Sequence, residues 1–371
     1  MGHGIYPFGR SSYDATCLRL ICRRRVVRCA VPGRRCPLAH PPGHLIRPAR
    51  SGLRTAVAAT ALFVAVSWAA PAVPAESLLP LNLGVMGGDS TAEGFYAQDM
   101  GFFKAAGLDV KMTVMLNGAA LTSAMSSGAL DIGIASVGVI AMAHEHNLPI
   151  RFIAPAAIFT EGARTTLLMV PRDSTARSGA DLNGQTVAIN GLKDLTQFST
   201  AAWIDKNGGD LRTVKFIEIP FSEMGVALEQ HRVAAALMTE PFASAAKSVA
   251  RELGNAGAAV ASKYLVMGWF APDTWTAQNA ETIRRFRIAI SEAARWANAH
   301  PEKSAAILVR YTKMMPDTVR TMARAKYDTS TLLDPALMQP VIDAAAKYGT
   351  LAHSFPASEL IAPVPAPVPH N

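Results

Sequence analysis

From Leu81 onward the chain alternates short apolar runs with stretches of helical period, and no other feature limits its fold as much. That rhythm defines an α/β class with a largely parallel sheet. "LNLGVM" reads as a strand, "TAEGFYAQDMGFFKAAG" as one helix, and "LDVKMTVM" as a strand with period-two alternation. Asn117 and Gly118 open the helix "AALTSAMSSG", with Gly128 as its C-cap glycine. "DIGIAS" is a short buried strand that delivers the chain to Ser136, the expected start of the helix "VGVIAMAHEHN". Strands "IRFIAPAA" and "TTLLMVPR" follow.

A second unit of the same rhythm begins at "DLNGQTVAING". Asp194 and Gln197 have capping-box spacing before the helix "LTQFSTAAWIDKNGG". Strand "TVKFIEIP", helix "SEMGVALEQ", strand "VAAALMT" and helix "PFASAAKSVARELG" come next. After "YLVMGWFAP" only helices are expected, over 279–300, 301–312, 316–326 and 335–348. Asn279 and Asp334 are their caps, and Pro301 and Pro335 fall in first turns. Two such units followed by helices predict two lobes around a cleft: residues 76–170 with 270–360 form the first, and 171–269 the second. Residues 361–371, "APVPAPVPHN" among them, read as a Pro-rich disordered tail.

The first 75 residues follow another logic. Arg47, Arg50 and Arg54 precede the apolar run "TAVAATALFVAVSWAA", and small residues after it offer cleavage at Ala72 or Ala75. That order is a secretory signal peptide's, and the run is short for a membrane span. The stretch before it fits no signal peptide, which points to a mis-started reading frame with Leu53 as an alternative start. All four cysteines lie there, at spacings unlike paired zinc ligands. Of 36 basic and 28 acidic residues, eleven arginines and one aspartate precede residue 76, leaving 25 against 27. The basic pI near 9.5 is therefore the leader's property, and the remainder gives no support for nucleic-acid binding. Without cysteine the mature chain has no disulfide, thiol catalysis or lipidated N-terminus. A periplasmic protein, most simply a monomer, is expected.

In this order, "AQDMGFFKAAGLDV", "NGAALTSAMSSGALDIGIAS", "DLNGQTVAI" and "MTEPF" resemble the substrate-binding proteins of nitrate/sulfonate/taurine-type ABC importers. The similarity spans roughly residues 80–360. One departure is Ala234, where that family usually has an aspartate before its Glu-Pro. The resemblance implies the two-lobed periplasmic-binding-protein type II fold, each lobe a mixed, mostly parallel sheet flanked by helices. It implies capture of a small organic or anionic solute, of sulfonate, nitrate, taurine or pyrimidine-precursor class, for delivery to a permease and its ATPase.

An exported enzyme acting on a small heterocycle or acid, or a ligand-sensing module of a signalling system, are the alternatives on this fold. Against the enzyme stand the absence of G-x-S-x-G, H-E-x-x-H and Walker motifs and of the Cys-rich motif of the related pyrimidine-precursor synthases. His144, Glu145 and His146 point to different sides of a helix and are not read as a metal site. No catalytic residue, cofactor or metal is expected.

In open sheets ligands sit beyond the carboxyl ends of strands, where helix N-termini present free N–H groups. The expected contacts are Asp89, Ser90 and Thr91; Asn117 and Gly118; Ser136 and Val137; Thr165; Asn190 and Gly191; and Glu240. Tyr96 and Trp269, with Phe95, are candidate apolar walls. Helix N-termini after Asn117, Ser136 and Asn190 would receive an electronegative or anionic group, with Arg164 as a possible counter-charge. Asp89 and Glu240 would receive a donor.

Overall fold

The structure is a computed structural model that describes residues 77–115 and 118–363. The expected leader and signal segment, Asn117 and residues 364–371 lie outside them. Strands β1 (Leu79–Met86) and β2 (Leu108–Met115) pair in parallel. Between them lie helices α1 (Glu93–Asp99) and α2 (Phe102–Ala105), where the sequence suggested one helix. Gly101 separates them with φ of 77°, a left-handed conformation that glycine adopts at no steric cost.

Helix α3 (Gly118–Ser126) ends before Gly128, whose φ of 73° is that of a C-cap glycine. Strand β3 (Gly133–Ser136) runs directly into α4 (Val137–Glu145), followed by β4 (Ile150–Pro155) and β5 (Ala157–Thr160). The next segment holds β6 (Thr166–Pro171), β7 (Thr186–Ile189), α5 (Leu195–Lys206), β8 (Lys215–Glu218), α6 (Phe221–Glu229), β9 (Ala235–Thr239), α7 (Phe242–Ala245) and β10 (Ala250–Gly254). Strands β11 (Lys263–Leu265) and β12 (Met267–Pro272) lead back, and α8 (Asp273–Gln278), α9 (Ala280–Ala299), α10 (Pro301–Thr312), α11 (Pro316–Thr321), β13 (Lys326–Tyr327) and α12 (Pro335–Lys347) follow.

Two differences from the sequence reading have one cause. "PFASAAKSVARELG" forms only a short helix and a 3-10 turn before β10, which pairs antiparallel with β6. The helix expected over 316–326 stops at Thr321, and Lys326–Tyr327 pair with β5. In both, an open strand edge outweighs local helical propensity. Residues 361 and 362, assigned to the tail, are docked: Ile361 bridges Phe152, and the Ala362 amide donates to the Phe152 carbonyl at 2.9 Å.

The sheets are mixed, as expected, with antiparallel pairs where the chain doubles back. β12 lies between β3 and β4, antiparallel to both, while Ile132, the residue before β3, bridges Leu83 of β1 in parallel. The second sheet has the order β10-β6-β9-β7-β8. Alternate residues of β6 enter separate cores, Leu167 and Met169 on one face and Leu168 and Val170 on the other. Helices cover both faces, so these strands read as continuous apolar runs. A third, larger core joins residues 81–159 to 264–362.

Phe198 of α5 belongs to this larger core and not to those of its own sheet. Its ring packs where a Cβ on Gly138 of α4 would stand 3.1 Å away. Burial of such a side chain stabilises by about 1.5–3 kcal/mol, so α5 is fastened to the first segment. At its other end, the Asp205 carboxylate accepts from Lys347 Nζ at 3.0 Å and the Tyr348 hydroxyl at 2.9 Å.

The turn before β7 also leans on α5. A Cβ on Gly179 would overlap the Ile204 carbonyl oxygen, which is backbone and cannot swing aside. Gly179→Ala is therefore expected to cost about 1–3 kcal/mol as an overpacking defect. Urea unfolding of the two proteins checks this, and an unchanged midpoint would contradict the close approach.

Candidate functional site

Parallel pairing of β1 with β2, and the parallel bridge from Leu83 to Ile132 just before β3, bring the loops after all three strands to one end. Asp89, Ser90 and Thr91 sit there, as do the start of α3 at Gly118 and the start of α4 at Ser136 and Val137. In the second sheet β7 and β9 are parallel neighbours, so Asn190 and Gly191 leave at the same end as Glu240. β6 enters at that end, and the Glu240 amide donates to the Thr165 carbonyl at 3.0 Å. The strand-end positions chosen from the sequence thus fall into two groups, one on each sheet.

One hydrogen bond joins the groups. Ser136 caps α4, its Oγ accepting from the Val139 amide at 3.2 Å. The same hydroxyl donates to Asp194 Oδ1 at 2.9 Å, and that oxygen also accepts from the Leu195 amide at the start of α5, at 2.6 Å. The Asp194 carboxylate thus stands between the N-termini of α4 and α5. Burial pushes its pKa above the ordinary carboxylate value, while the Leu195 amide and Ser136 hydroxyl pull it down. Gln197 reaches back to the Lys193 amide at 2.7 Å.

Several expected contacts have protein partners instead. Asp89, 3% exposed, accepts from Arg324 Nε at 3.0 Å and Nη2 at 2.9 Å through Oδ1, and from the Ala325 amide at 2.6 Å through Oδ2. Arg324 continues to the Tyr96 hydroxyl at 2.9 Å and the Pro301 carbonyl at 2.8 Å. Tyr327 donates to the Asp89 carbonyl. Thr91 braces its own loop, donating to the Met86 carbonyl at 2.6 Å.

Glu240, which precedes a cis peptide to Pro241, caps α7: Oε2 accepts from the Ser244 amide at 3.0 Å and Oε1 from the Ser244 hydroxyl at 2.8 Å. Arg164 pairs with Glu252. Of the polar positions, Asn190 is exposed and Ser90 and Thr165 are half-buried.

The expected apolar walls are core residues. Tyr96 is wholly buried between Trp296 and Tyr327, and Phe95 stacks on Tyr311. Val137 is wholly buried too. Trp269 is buried in the centre of β12, its indole donating to Glu93 Oε2 at 2.7 Å. Phe95 and Tyr96 hold α1 against α9, α10 and β13, through Trp296, Tyr311 and Tyr327.

Glu93 was not singled out from the sequence. It is fully buried, Oε1 has no hydrogen-bond partner among the described residues, and burial raises its pKa well above the ordinary value, against the Trp269 hydrogen bond. His144 and Glu145 are used at the end of α4, on Glu359 and the Ala352 amide. A depression of about 500 Å³ lined by Asp173, Gln185 and His231 lies at the opposite end of the second sheet, where β6 ends and β7 and β9 begin. Among the described residues no helix is long and apolar enough to cross a membrane.

Comparison with known proteins fits this arrangement. The fold is that of the periplasmic binding proteins. The aliphatic sulphonate binding protein SsuA of Escherichia coli superposes with a TM-score of 0.66 at 15% identity, over 80% of this chain and 96% of that one. The nitrate-binding protein NrtA of Synechocystis PCC 6803 gives 0.63 at 13% identity, over 76% and 86%. The CA3427 gene product of Candida albicans gives 0.63 at 11% identity, over 79% and 99%. The chain belongs to the NMT1/THI5-like family, whose model matches residues 90–304. No curated protein sequence matches.

Proposed function

We propose that this chain is the solute-binding component of an ABC-type import system. In this reading the segments 76–170 and 270–360 form one lobe and 171–269 the other. A small organic solute is held between their strand ends without covalent chemistry. The observation that carries the reading is the meeting of the two strand-end groups at Ser136 and Asp194, in a fold shared with sulphonate- and nitrate-binding proteins. The chain acts in the periplasm as a monomer, after removal of the segment before Val73 or Glu76, and hands its solute to a permease and ATPase.

Thermal unfolding in the presence of sulfonates, nitrate, aromatic acids and pyrimidines tests the reading. A solute at a hundred times its Kd adds about 2.7 kcal/mol, which raises Tm by about 3–5 °C in a chain of this size. Small-angle scattering with that solute is expected to show a smaller radius, as the lobes close by a hinge movement. A library without any stabilising compound, or turnover of the compound that binds, would defeat the proposal.

A further inference from the structure

The charges at the two strand-end groups are unequal, and the inequality selects among solutes. Asp89 and Arg324 neutralise each other. Both Glu240 oxygens are taken by Ser244. Asp194 differs. Its Oδ1 holds two donors, but Oδ2 has neither a hydrogen bond nor a cationic partner among the described residues. Oδ2 lies beside Gly191, where a Cβ would stand 3.8 Å from it.

The N-termini of α4 and α5, the groups that would welcome an oxyanion, therefore already face a carboxylate of this chain. An incoming sulfonate or nitrate would meet like charge in a half-buried setting where water screens it poorly. A group bearing N–H donors would find an acceptor whose second oxygen is free.

Building on the solute-binding reading, we infer that Asp194 sets the charge preference of this cleft. Its free oxygen receives an amine, amidine or ring N–H of the solute, and its charge keeps sulfonate- and nitrate-type oxyanions out. This is the opposite preference to that named for the sulphonate- and nitrate-binding proteins that share the fold.

The test is a gain of binding. Asp194→Ser keeps a good N-cap for α5 while removing the charge, and Asp194→Asn is a second, near-isosteric variant should the serine protein fold poorly. Asp173→Ser, at the far end of the same sheet, controls for net charge. Calorimetric titration with methanesulfonate and with nitrate, at constant ionic strength, is the measurement. Wild type and Asp173→Ser are expected to show no saturable binding of either anion. Asp194→Ser or Asp194→Asn is expected to bind at least one of them, at least about tenfold more tightly than the control. Saturable oxyanion binding by wild type overturns the inference, as do folded Asp194 variants that bind no more tightly than Asp173→Ser. An oxyanion found as the natural stabilising solute would overturn it and leave the solute-binding reading standing. Failure of that reading shows separately, as a wild-type protein that no compound stabilises.

Discussion

Replacing Asp89 by alanine is expected to destabilise the fold by about 3–5 kcal/mol, because it strands a largely buried guanidinium without its partner. Asp89 is nearly inaccessible, and it ties the loop after β1 to Arg324 and to the Ala325 amide, far along the chain. The loss should be much smaller in Asp89→Ala combined with Arg324→Met, since the second change removes the orphaned charge. Urea denaturation of the two single variants and the double variant measures the coupling. A single-variant cost below about 1 kcal/mol would mean that water reaches the pair and screens it. Asp89 thus anchors the loop, and its carboxylate is spent on protein groups.

Glu93→Gln is expected to change the pH dependence of stability. The folded carboxyl is held protonated by burial above its ordinary range, whereas the unfolded one ionises at the ordinary value. Between those two values the native state binds more protons than the unfolded state. Stability is therefore greatest at low pH in this respect and is lost as pH rises, by up to about 1.4 kcal/mol per pH unit, until the folded-state value is passed. Glutamine is neutral throughout, so the variant should lack this decline and gain on wild type as pH rises above the ordinary carboxylate range. Asp194 shifts in the same direction, and Asp210 and Glu281 in the other, but these contributions are common to both proteins. Parallel pH profiles for the two would refute a protonated Glu93.

The alternation of apolar runs was enough to read most strands, because burial on both faces or on one leaves a direct trace in the order of residues. "LDVKMTVM" became β2 at the residues quoted, and α4 starts at Ser136 as expected, with Ser136 as its N-cap. "SVARELG" misled because its helical propensity is real, and only the free edge of β6 makes it a strand. The junctions that approach the two strand-end groups were legible as polar turns. What those side chains touch was not. Ser136 meets Asp194, whose capping role was visible but whose reach across 58 residues left no pattern. Asp89 meets Arg324, 235 residues away, and Trp269 meets Glu93. Carboxylates at strand ends look alike in sequence whether they face a solute or an arginine.

The place of β12 bears on the order in which the chain can close as it is made. β3 and β4 are complete by Pro155, yet the strand that belongs between them is not synthesised until Met267–Pro272. The sheet bounded by Thr166 and Gly254 has no such dependence and can assemble first. Pairing across so long a stretch of chain is slow. For a protein proposed to be exported, a central strand that arrives late keeps the part of the first sheet around β3 and β4 open until most of the chain has been made.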